Sequence, residues 1–183
     1  MPETTTPQRG TARERLLAAA AELFYGDGIN TTGVEALAAK AGVTKATLYN
    51  NFRSKDELVV AYLRAKLEAT RASLAVGDSS GATPVERVAV IFDTLATDIE
   101  EGRFDGCPFA KAAVEVPTNG AAMAVVREHH DVVVGHLTDI TADADTAETI
   151  AMIYDGAIIA AKATGSAAPV VHAGEAAAHL VPA

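Results

Sequence analysis

The chain has 183 residues, of which 49% are apolar and 5% aromatic, with no tryptophan, and its formal net charge is −9. A chain of this length forms one sizeable core, or a small module joined to a larger domain. Alanine dominates the apolar residues and no useful stretch alternates as a strand does, so the composition favours close-packed helices. We therefore predict an all-α fold.

Several kinds of site and location are disfavoured from the start. Cys107 is the only cysteine, which excludes an internal disulfide and a clustered-cysteine metal site. The first ten residues lack the apolar core of a signal peptide. The most apolar stretch, "IAMIYDGAIIAA", is too short to span a bilayer and contains Asp155. We expect a cytoplasmic protein without a membrane partner.

The charge is divided unevenly along the chain. Residues 1–66 carry nine Lys or Arg against seven Asp or Glu, a net +2, whereas residues 67–183 carry six against seventeen, a net −11. The acidic surplus therefore belongs to the second part, and it does not argue against a polyanionic partner for the first part.

Helices are predicted from apolar periodicity and from capping boxes, in which Ser, Thr or Asp is followed three residues later by Glu. In chain order, the predicted helices span residues 11–25, 33–41, 44–51, 54–75, 84–100, 108–116, 121–141, 146–164 and, with the weakest pattern, 174–181. A loop is predicted at residues 77–82. The capping boxes are Thr11/Glu14, Thr32/Glu35, Ser54/Glu57, Thr83/Glu86 and Asp145/Glu148.

The second and third predicted helices are short and are separated by a glycine-containing turn, in the stretch "AGVTKATLYNNF" at residues 41–52. This arrangement predicts a helix-turn-helix, whose second helix enters the DNA major groove. Leu48 is expected to face inward with Val43 and Leu37, which leaves Lys, Thr, Tyr and Asn side chains on the exposed face. Lys donates to guanine and Asn pairs with adenine, while Tyr, Thr and Lys also bind phosphate.

The segment "GINTTGVEALAAKAGVTKATLYNNFRSKDELVVAYL", with "RERLLAAAAELF" before it, resembles the DNA-binding region of TetR-family transcriptional regulators. Members of this family are dimeric all-α proteins, usually repressors, whose divergent C-terminal domains bind a small molecule that releases the DNA. The resemblance implies a DNA-binding domain over residues 1–53. It also implies an effector-binding and dimerisation domain over residues 54–183, with the helix at 54–75 shared by both.

The same resemblance implies roles for individual residues of the DNA-binding region. Bases or the nearby backbone are contacted by Lys45, Ala46, Thr47, Asn50 and Asn51, and phosphates by Thr32, Thr44, Tyr49 and Lys55. Capping alone also explains Thr32 and Thr44. Asn50 and Asn51 stand where the family commonly has aromatic or histidine rings, so the operator sequence cannot be carried over.

A second segment, "FDGCPFAKAAVEV", resembles the start of a helix that borders the ligand cavity in one large subgroup of the family. We predict a pocket for an apolar or amphipathic small molecule, lined by Phe104, Cys107, Phe109, Ala113 and His130. Cys107 is interpreted either as a small buried hydrophobe or, at a helix N-terminus, as a redox-sensitive thiol.

Neither a metal site nor an enzyme is predicted. The pairs His129/His136 and His172/His179 are seven residues apart, whereas helical metal ligands favour a spacing of four. The chain contains no nucleophile elbow, phosphate loop or paired-carboxylate signature, and no cofactor is expected.

The helix predicted at 146–164 carries a broad apolar stripe that little remaining chain could cover. The resemblance implies that this helix and the last one form a four-helix bundle between two subunits. The predicted dimer face consists of Ile150, Ile153, Tyr154, Ala157, Ile158 and Ala161.

Together these patterns predict a homodimeric repressor that binds a palindromic double-stranded operator and is released by a small molecule. One alternative is an activator or nucleoid factor without an effector. An enzyme that uses the second-half pocket is a less favoured alternative. Release of DNA by a saturating effector would separate the first two.

Overall fold

The computed structural model describes residues 10–77, 82–104 and 106–182. These residues form nine α-helices and no strand, which confirms the all-α prediction. The helices are α1 (Ala12–Gly26), α2 (Val34–Lys40), α3 (Lys45–Asn51), α4 (Lys55–Gly77), α5 (Pro84–Glu100), α6 (Pro108–Glu115), α7 (Ala121–Thr141), α8 (Ala144–Thr164) and α9 (Ala168–Leu180). Most of the predicted loop at 77–82 lies outside the described residues. None of the described helices is both long and apolar enough to cross a membrane.

Two of the predicted capping boxes form as expected. At the start of α1, the Glu14 N–H donates to the Thr11 hydroxyl at 3.2 Å, and the Thr11 N–H donates to the Glu14 carboxylate at 2.8 Å. Thr83 and Glu86 make the same reciprocal pair before α5. These boxes satisfy N–H groups that a helix start otherwise leaves unpaired.

Two other predicted boxes are wrong. α8 begins two residues earlier than predicted, because Asp143 caps it by accepting a hydrogen bond from the Thr146 N–H at 3.0 Å. α2 is preceded by Gly33, which makes no side-chain cap, and Thr32 is instead buried. The last helix, α9, begins six residues before its predicted start. Its first turn contains Pro169 but has no side-chain cap, so the polar signal that marked the other helices is missing.

The helices enclose two apolar cores. The first joins α1, α2 and α3 to α4, and it includes Leu16, Leu37 and Leu48, none of which is exposed to solvent. The second joins α5, α7, α8 and α9 around Phe92 and Ile150. α4 packs against both α1 and α7.

Candidate nucleic-acid interface and cavity

The short turn between α2 and α3 fixes the angle between these helices. Gly42 has φ +62°, a left-handed conformation that glycine adopts without steric cost. The Val43 N–H donates to the Ala38 carbonyl at 2.9 Å, and the Thr44 hydroxyl caps α3 by accepting from the Thr47 N–H at 3.1 Å. Leu48 is completely buried and holds α3 against the core. α2 and α3 therefore form the predicted helix-turn-helix.

The outer face of α3 and its cap presents polar groups to solvent. Thr44, Lys45, Ala46, Tyr49 and Asn50 are exposed, and the ring of Tyr49 is 44% exposed although it is large and partly apolar. An exposed row of this kind, on the second helix of a helix-turn-helix, has the dimensions and the donors needed to contact base edges and phosphates.

Two predicted contact residues are partly used within the helix itself. Thr47 is half-buried, and its hydroxyl lies 2.9 Å from the hydroxyl of Thr44. The Asn51 side-chain amide donates to the Thr47 carbonyl at 2.8 Å. Asn51 therefore retains its carbonyl oxygen for a base, whereas Asn50 retains its whole amide.

Lys45 forms an ion pair with Glu35 across the turn, with 2.6 Å between the ammonium nitrogen and Glu35 Oε1. The hydrogen bond and the opposite charge raise the pKa of Lys45 and lower the pKa of Glu35. Both side chains are exposed, so the Lys45 ammonium can exchange the carboxylate for another anion.

Thr32 is bonded within its own loop in the free protein. It is 3% exposed, and its hydroxyl donates to the Gly28 carbonyl at 2.7 Å. This hydroxyl therefore fixes the loop before α2, and the phosphate contact of Thr32 stays a prediction. Lys55, at the first position of α4, is half-buried and has no ion-pair partner among the described residues.

Arg15 is a positioning residue that the sequence analysis missed. Its Nε donates to the Ala41 carbonyl at 3.1 Å, which joins α1 to the end of α2. The two residues are 26 positions apart, and no local spacing indicates such a contact.

A cavity of about 1000 Å³ lies among α4, α5, α6, α7 and α8. All five predicted pocket residues line it, namely Phe104, Cys107, Phe109, Ala113 and His130. The cavity also includes residues that the sequence analysis did not assign to it, among them Lys66, Phe92, His129 and Asp155, and it includes Tyr154, which had been assigned to the dimer face. Tyr154 was assigned to the interface from the apolar stripe of its helix, and the other residues carried no local signal for a pocket, because the cavity forms only when distant helices meet.

Burial favours the neutral form of three titratable groups in the cavity wall, His129, Tyr154 and Cys107. The His129 ring stacks on Phe109 with centroids 3.7 Å apart, and burial, together with the neighbouring His130, lowers the pKa of His129 to about 4. Burial raises the pKa of Tyr154, whose ring meets Phe92 edge to face. Burial also raises the pKa of the Cys107 thiol, which favours the interpretation of this residue as a small hydrophobe. No group of three metal-ligating side chains occurs among the described residues.

α6 connects the cavity with the helix-turn-helix. The Lys111 ammonium donates to the Tyr25 carbonyl at 2.8 Å, at the end of α1. Farther along α6, the Glu115 carboxylate accepts a hydrogen bond from the Asn30 N–H at 2.6 Å, and the Asn30 side chain donates to the Glu115 carbonyl at 3.1 Å. One end of α6 thus lines the cavity while the other end is bonded to the loop between α1 and α2.

The predicted dimer face has a different placement. Ile150, Ala157, Ile158 and Ala161 are at most 5% exposed within the single chain, Ile153 is half-buried, and Tyr154 lines the cavity. Four of the six residues therefore belong to the chain's own core, because α8 packs against both α7 and α9. Four of the large apolar side chains that stay exposed are on the last two helices, Met152 and Ile159 on α8 and Val171 and Leu180 on α9, while Val85 and Val90 are exposed on α5 and Val114 on α6.

This architecture is that of a helix-turn-helix protein with a helical C-terminal domain. Residues 16–62 match the family of bacterial regulatory proteins of the TetR type. A TetR-family transcriptional regulator from Streptomyces coelicolor superposes with a TM-score of 0.82 at 26% identity, over 93% of this chain and 95% of that chain. The N-terminal part of the chain therefore matches the TetR family, and its whole described fold is similar to that of a TetR-family regulator.

Two relatives from Mycolicibacterium smegmatis are similar in the N-terminal part. The transcriptional activator FasR is 43% identical over 56 residues, which is 31% of this chain and 26% of FasR. The transcriptional repressor KstR2 is 36% identical over 64 residues, which is 35% of this chain and 31% of KstR2. The chain thus spans about a third or less of the length of these two relatives.

Proposed function

We propose that the chain is a cytoplasmic, ligand-responsive transcriptional repressor that binds an operator as a homodimer. The exposed polar face of α3, held in place by buried Leu48 and the turn at Gly42, carries this proposal. Residues 1–53 act as the DNA-binding domain and residues 54–183 as the effector and dimer domain, with α4 shared between them.

Dimerisation is supported by the exposed apolar side chains of the last two helices. Met152 and Ile159 are 60% and 63% exposed, which is costly for a helix that has no partner. A two-fold contact between α8 and α9 of two copies would cover them, since a symmetric dimer uses the same surface twice. Such a dimer presents two α3 helices to successive major grooves, about 34 Å apart on a palindromic site.

Release by a ligand is supported by the helices that form the cavity. α4 and α6 both line it, and both contact the DNA-binding domain. A ligand that binds more tightly to a conformer with misplaced α3 helices lowers DNA affinity by the ratio of its two affinities.

An activator is a second candidate, because the N-terminal match with the activator FasR is 43% identical. A repressor and an activator share the same DNA contacts, so the distinction requires a transcription assay. Run-off transcription from the bound promoter should decrease when the protein is added, and it should recover with the effector. An increase in transcript on addition of the protein would favour the activator.

The direct test of DNA binding compares a charged residue with a neutral one. We expect Lys55→Ala to weaken binding to all sequences alike, because the ammonium pairs with a phosphate as a point charge. The slope of log affinity against log salt should fall by about one per subunit, since one fewer counterion is released. Asn50→Ala should leave the slope unchanged and cost about 1–3 kcal/mol per half-site on the operator alone.

Binding is measured by fluorescence anisotropy at several salt concentrations, with DNA from upstream of the protein's own coding sequence and with an unrelated competitor. Identical losses and identical slopes for the two variants would show that α3 is not docked in the groove. If the parent protein prefers neither DNA, then this operator assignment is wrong.

A further inference from the structure

Lys66 occupies an unusual position in the cavity wall. It lies on α4, it is half-buried, and its ammonium lies 5.6 Å from the centroid of the Tyr25 ring and 6.0 Å from that of Tyr62. No carboxylate of the described residues pairs with it. Cation–π contacts stabilise such a charge only modestly, and less than an anion does at the same place.

The other charged groups of the wall differ from Lys66 because they are bonded or exposed. Arg103 pairs with Asp98 at 2.7 Å, and the Arg127 guanidinium donates to the Thr118 carbonyl at 2.6 Å. Asp131 and Asp155 are exposed to water, although partial burial raises the pKa of the Asp155 carboxyl. Asp155 also has a cationic neighbour within the chain when His130 is protonated.

Between these charged groups, part of the wall is apolar and suited to a hydrocarbon. Phe92 and Phe109 are buried there, Tyr154 meets the Phe92 ring, and burial keeps His129 neutral where it stacks on Phe109. A ligand that fills this space removes water from Lys66, and an unpaired charge that loses its water is costly. An anionic group on the ligand offsets that cost, whereas a neutral or cationic group does not.

We propose that the effector is an apolar monoanion, such as a carboxylic acid, whose anionic group pairs with Lys66 while its hydrocarbon part lies against Phe92 and Phe109. This inference rests on the proposed ligand-responsive function and names the chemical class of the ligand. The anion draws the Lys66 ammonium away from Tyr25 and Tyr62. Tyr25 lies in the last turn of α1, and the Tyr62 ring lies 5.6 Å from the Phe24 ring, so the ligand acts at the junction of α1 with α4.

The test uses three probes with the same hydrocarbon chain, namely decanoate, decanamide and decylamine. Each is titrated calorimetrically at neutral pH into the free protein and into the Lys66→Met, Lys66→Arg and Arg127→Met variants. Lys66→Met shortens the unbranched side chain by only one atom and removes the charge. Arg127→Met removes a charge from the same cavity, but from a group that is already hydrogen-bonded to Thr118. Thermal melts establish that the three variants are folded.

We expect the parent protein to bind decanoate about tenfold or more tightly than decanamide, and decylamine most weakly. Lys66→Met should bind decanoate and decanamide equally, whereas Arg127→Met should retain the preference and Lys66→Arg should restore it. Tighter binding of decylamine would indicate that a carboxylate such as that of Asp155 recognises the polar group of the ligand, and it would overturn the proposal. Equal losses in Lys66→Met and Arg127→Met, or no binding of decanoate, would overturn it as well.

The calorimetry contains no DNA, so its result is independent of operator binding. A decanoate preference that depends on Lys66, in a protein that binds no DNA, would refute the proposed function and leave the ligand class standing. A different result would be that the protein prefers decanoate through Lys66, yet decanoate weakens DNA binding at no concentration. That result would refute only the release of DNA by the ligand.

Discussion

The two parts of the molecule distribute their functional groups in opposite ways. The DNA-binding part places its exposed polar groups in one contiguous stretch, residues 44–51, on one helix and its cap. The C-terminal part draws its cavity from five consecutive helices and the end of α1. A contiguous site can be inferred from local sequence, whereas a dispersed site exists only after the chain has folded.

The two parts also differ in the chemical groups that they expose to solvent. α3 exposes hydroxyl, amide and ammonium groups, while α8 and α9 expose Met152, Ile159, Val171 and Leu180. The acidic surplus lies in residues 67–183, so a polyanion is directed to the other part of the molecule. One part thus exposes polar, hydrogen-bonding groups, and the other exposes apolar side chains.

The largest expected effect comes from placing a charge on the exposed apolar face of α8. We expect Ile159→Glu to dissociate the dimer, because two unpaired carboxylates would be buried at a two-fold contact. The cost should be about 3 kcal/mol or more, or over a hundredfold in the dissociation constant. Light scattering across a range of protein concentrations measures the change.

Val114→Glu is the matched control, because Val114 is 87% exposed and lies on α6, outside α8 and α9. This variant should remain dimeric. If Ile159→Glu forms a folded dimer as stable as that of the parent, then the contrast between a polar and an apolar surface does not mark the interface.

The next effect concerns the core of the C-terminal part, where α9 lies very close to α5. A Cβ atom added at Gly174 would lie 2.8 Å from Cβ of Phe92, which has little freedom to move because the residue is buried. We expect Gly174→Ala to lower the free energy of unfolding by about 1–3 kcal/mol through overpacking. Urea denaturation should show this loss, and the contacts of α3 should not change.

Gly135→Ala provides the control, since a Cβ atom there meets nothing within 4 Å. Replacing this helical glycine should stabilise the protein by about 0.5–1 kcal/mol. The opposite signs of the two variants would establish that close packing of α5 on α9, and not helix propensity, decides the effect at Gly174. Equal effects would contradict it.

The fold was largely predictable because its signals are local. Thr11 and Thr83 begin capping boxes where predicted, and Cys107 with Pro108 marks the start of α6. α9 was misplaced because its start has no polar cap, and Thr32 was misassigned because a buried hydroxyl that bonds to a carbonyl gives the same sequence pattern as a cap.

The two candidate sites were predictable to different degrees for the same reason. The exposed residues of α3 follow from the inward placement of Leu48. Lys66, His129 and Asp155 could not be placed in the cavity, because helical periodicity does not say which helix a face will meet. For the same reason, the sequence did not show that the apolar stripe of α8 packs mainly within its own chain, whereas Ile159 beside the stripe is exposed.

A smaller effect is expected in the pH dependence of the free energy of unfolding, to which His129 in the cavity wall contributes. The pKa of His129 is lowered by burial, and secondarily by His130, to about 4, so the unfolded chain takes up this proton first as the pH falls. Stability is therefore full above about pH 6.5 and decreases towards pH 4. After a discount for the partial exposure of the ring, the loss between pH 7 and pH 5 should be about 1 kcal/mol.

His129→Phe should remove this part of the pH dependence and retain the stack on Phe109. His172→Phe, at a side chain that is 89% exposed, should not change it. Urea denaturation of the three proteins at pH 7 and pH 5 measures the difference. An unchanged pH dependence in His129→Phe would show that this ring is not buried neutral in the folded protein.

The smallest effect sharpens the description of the DNA-binding part. Lys45 is held by Glu35 in the free protein, and DNA must compete with that carboxylate for the ammonium. We expect Glu35→Gln to raise the affinity for operator and competitor DNA, because it frees Lys45 and removes a negative charge beside the phosphates. The increase should be less than about tenfold, since exposed ion pairs are weak, and it should shrink as salt screens the charges.

Glu22→Gln distinguishes release of Lys45 from a general change in charge. Glu22 pairs with Lys40 in the same domain, so this variant also removes one carboxylate and frees one ammonium, but neither group lies on α3. Anisotropy titrations at three salt concentrations compare the two variants. A larger gain for Glu35→Gln, at every salt concentration, is expected if Lys45 contacts the DNA. Equal gains would mean that only the net charge of the domain matters, and Lys45 would then lose its place among the residues that contact DNA directly.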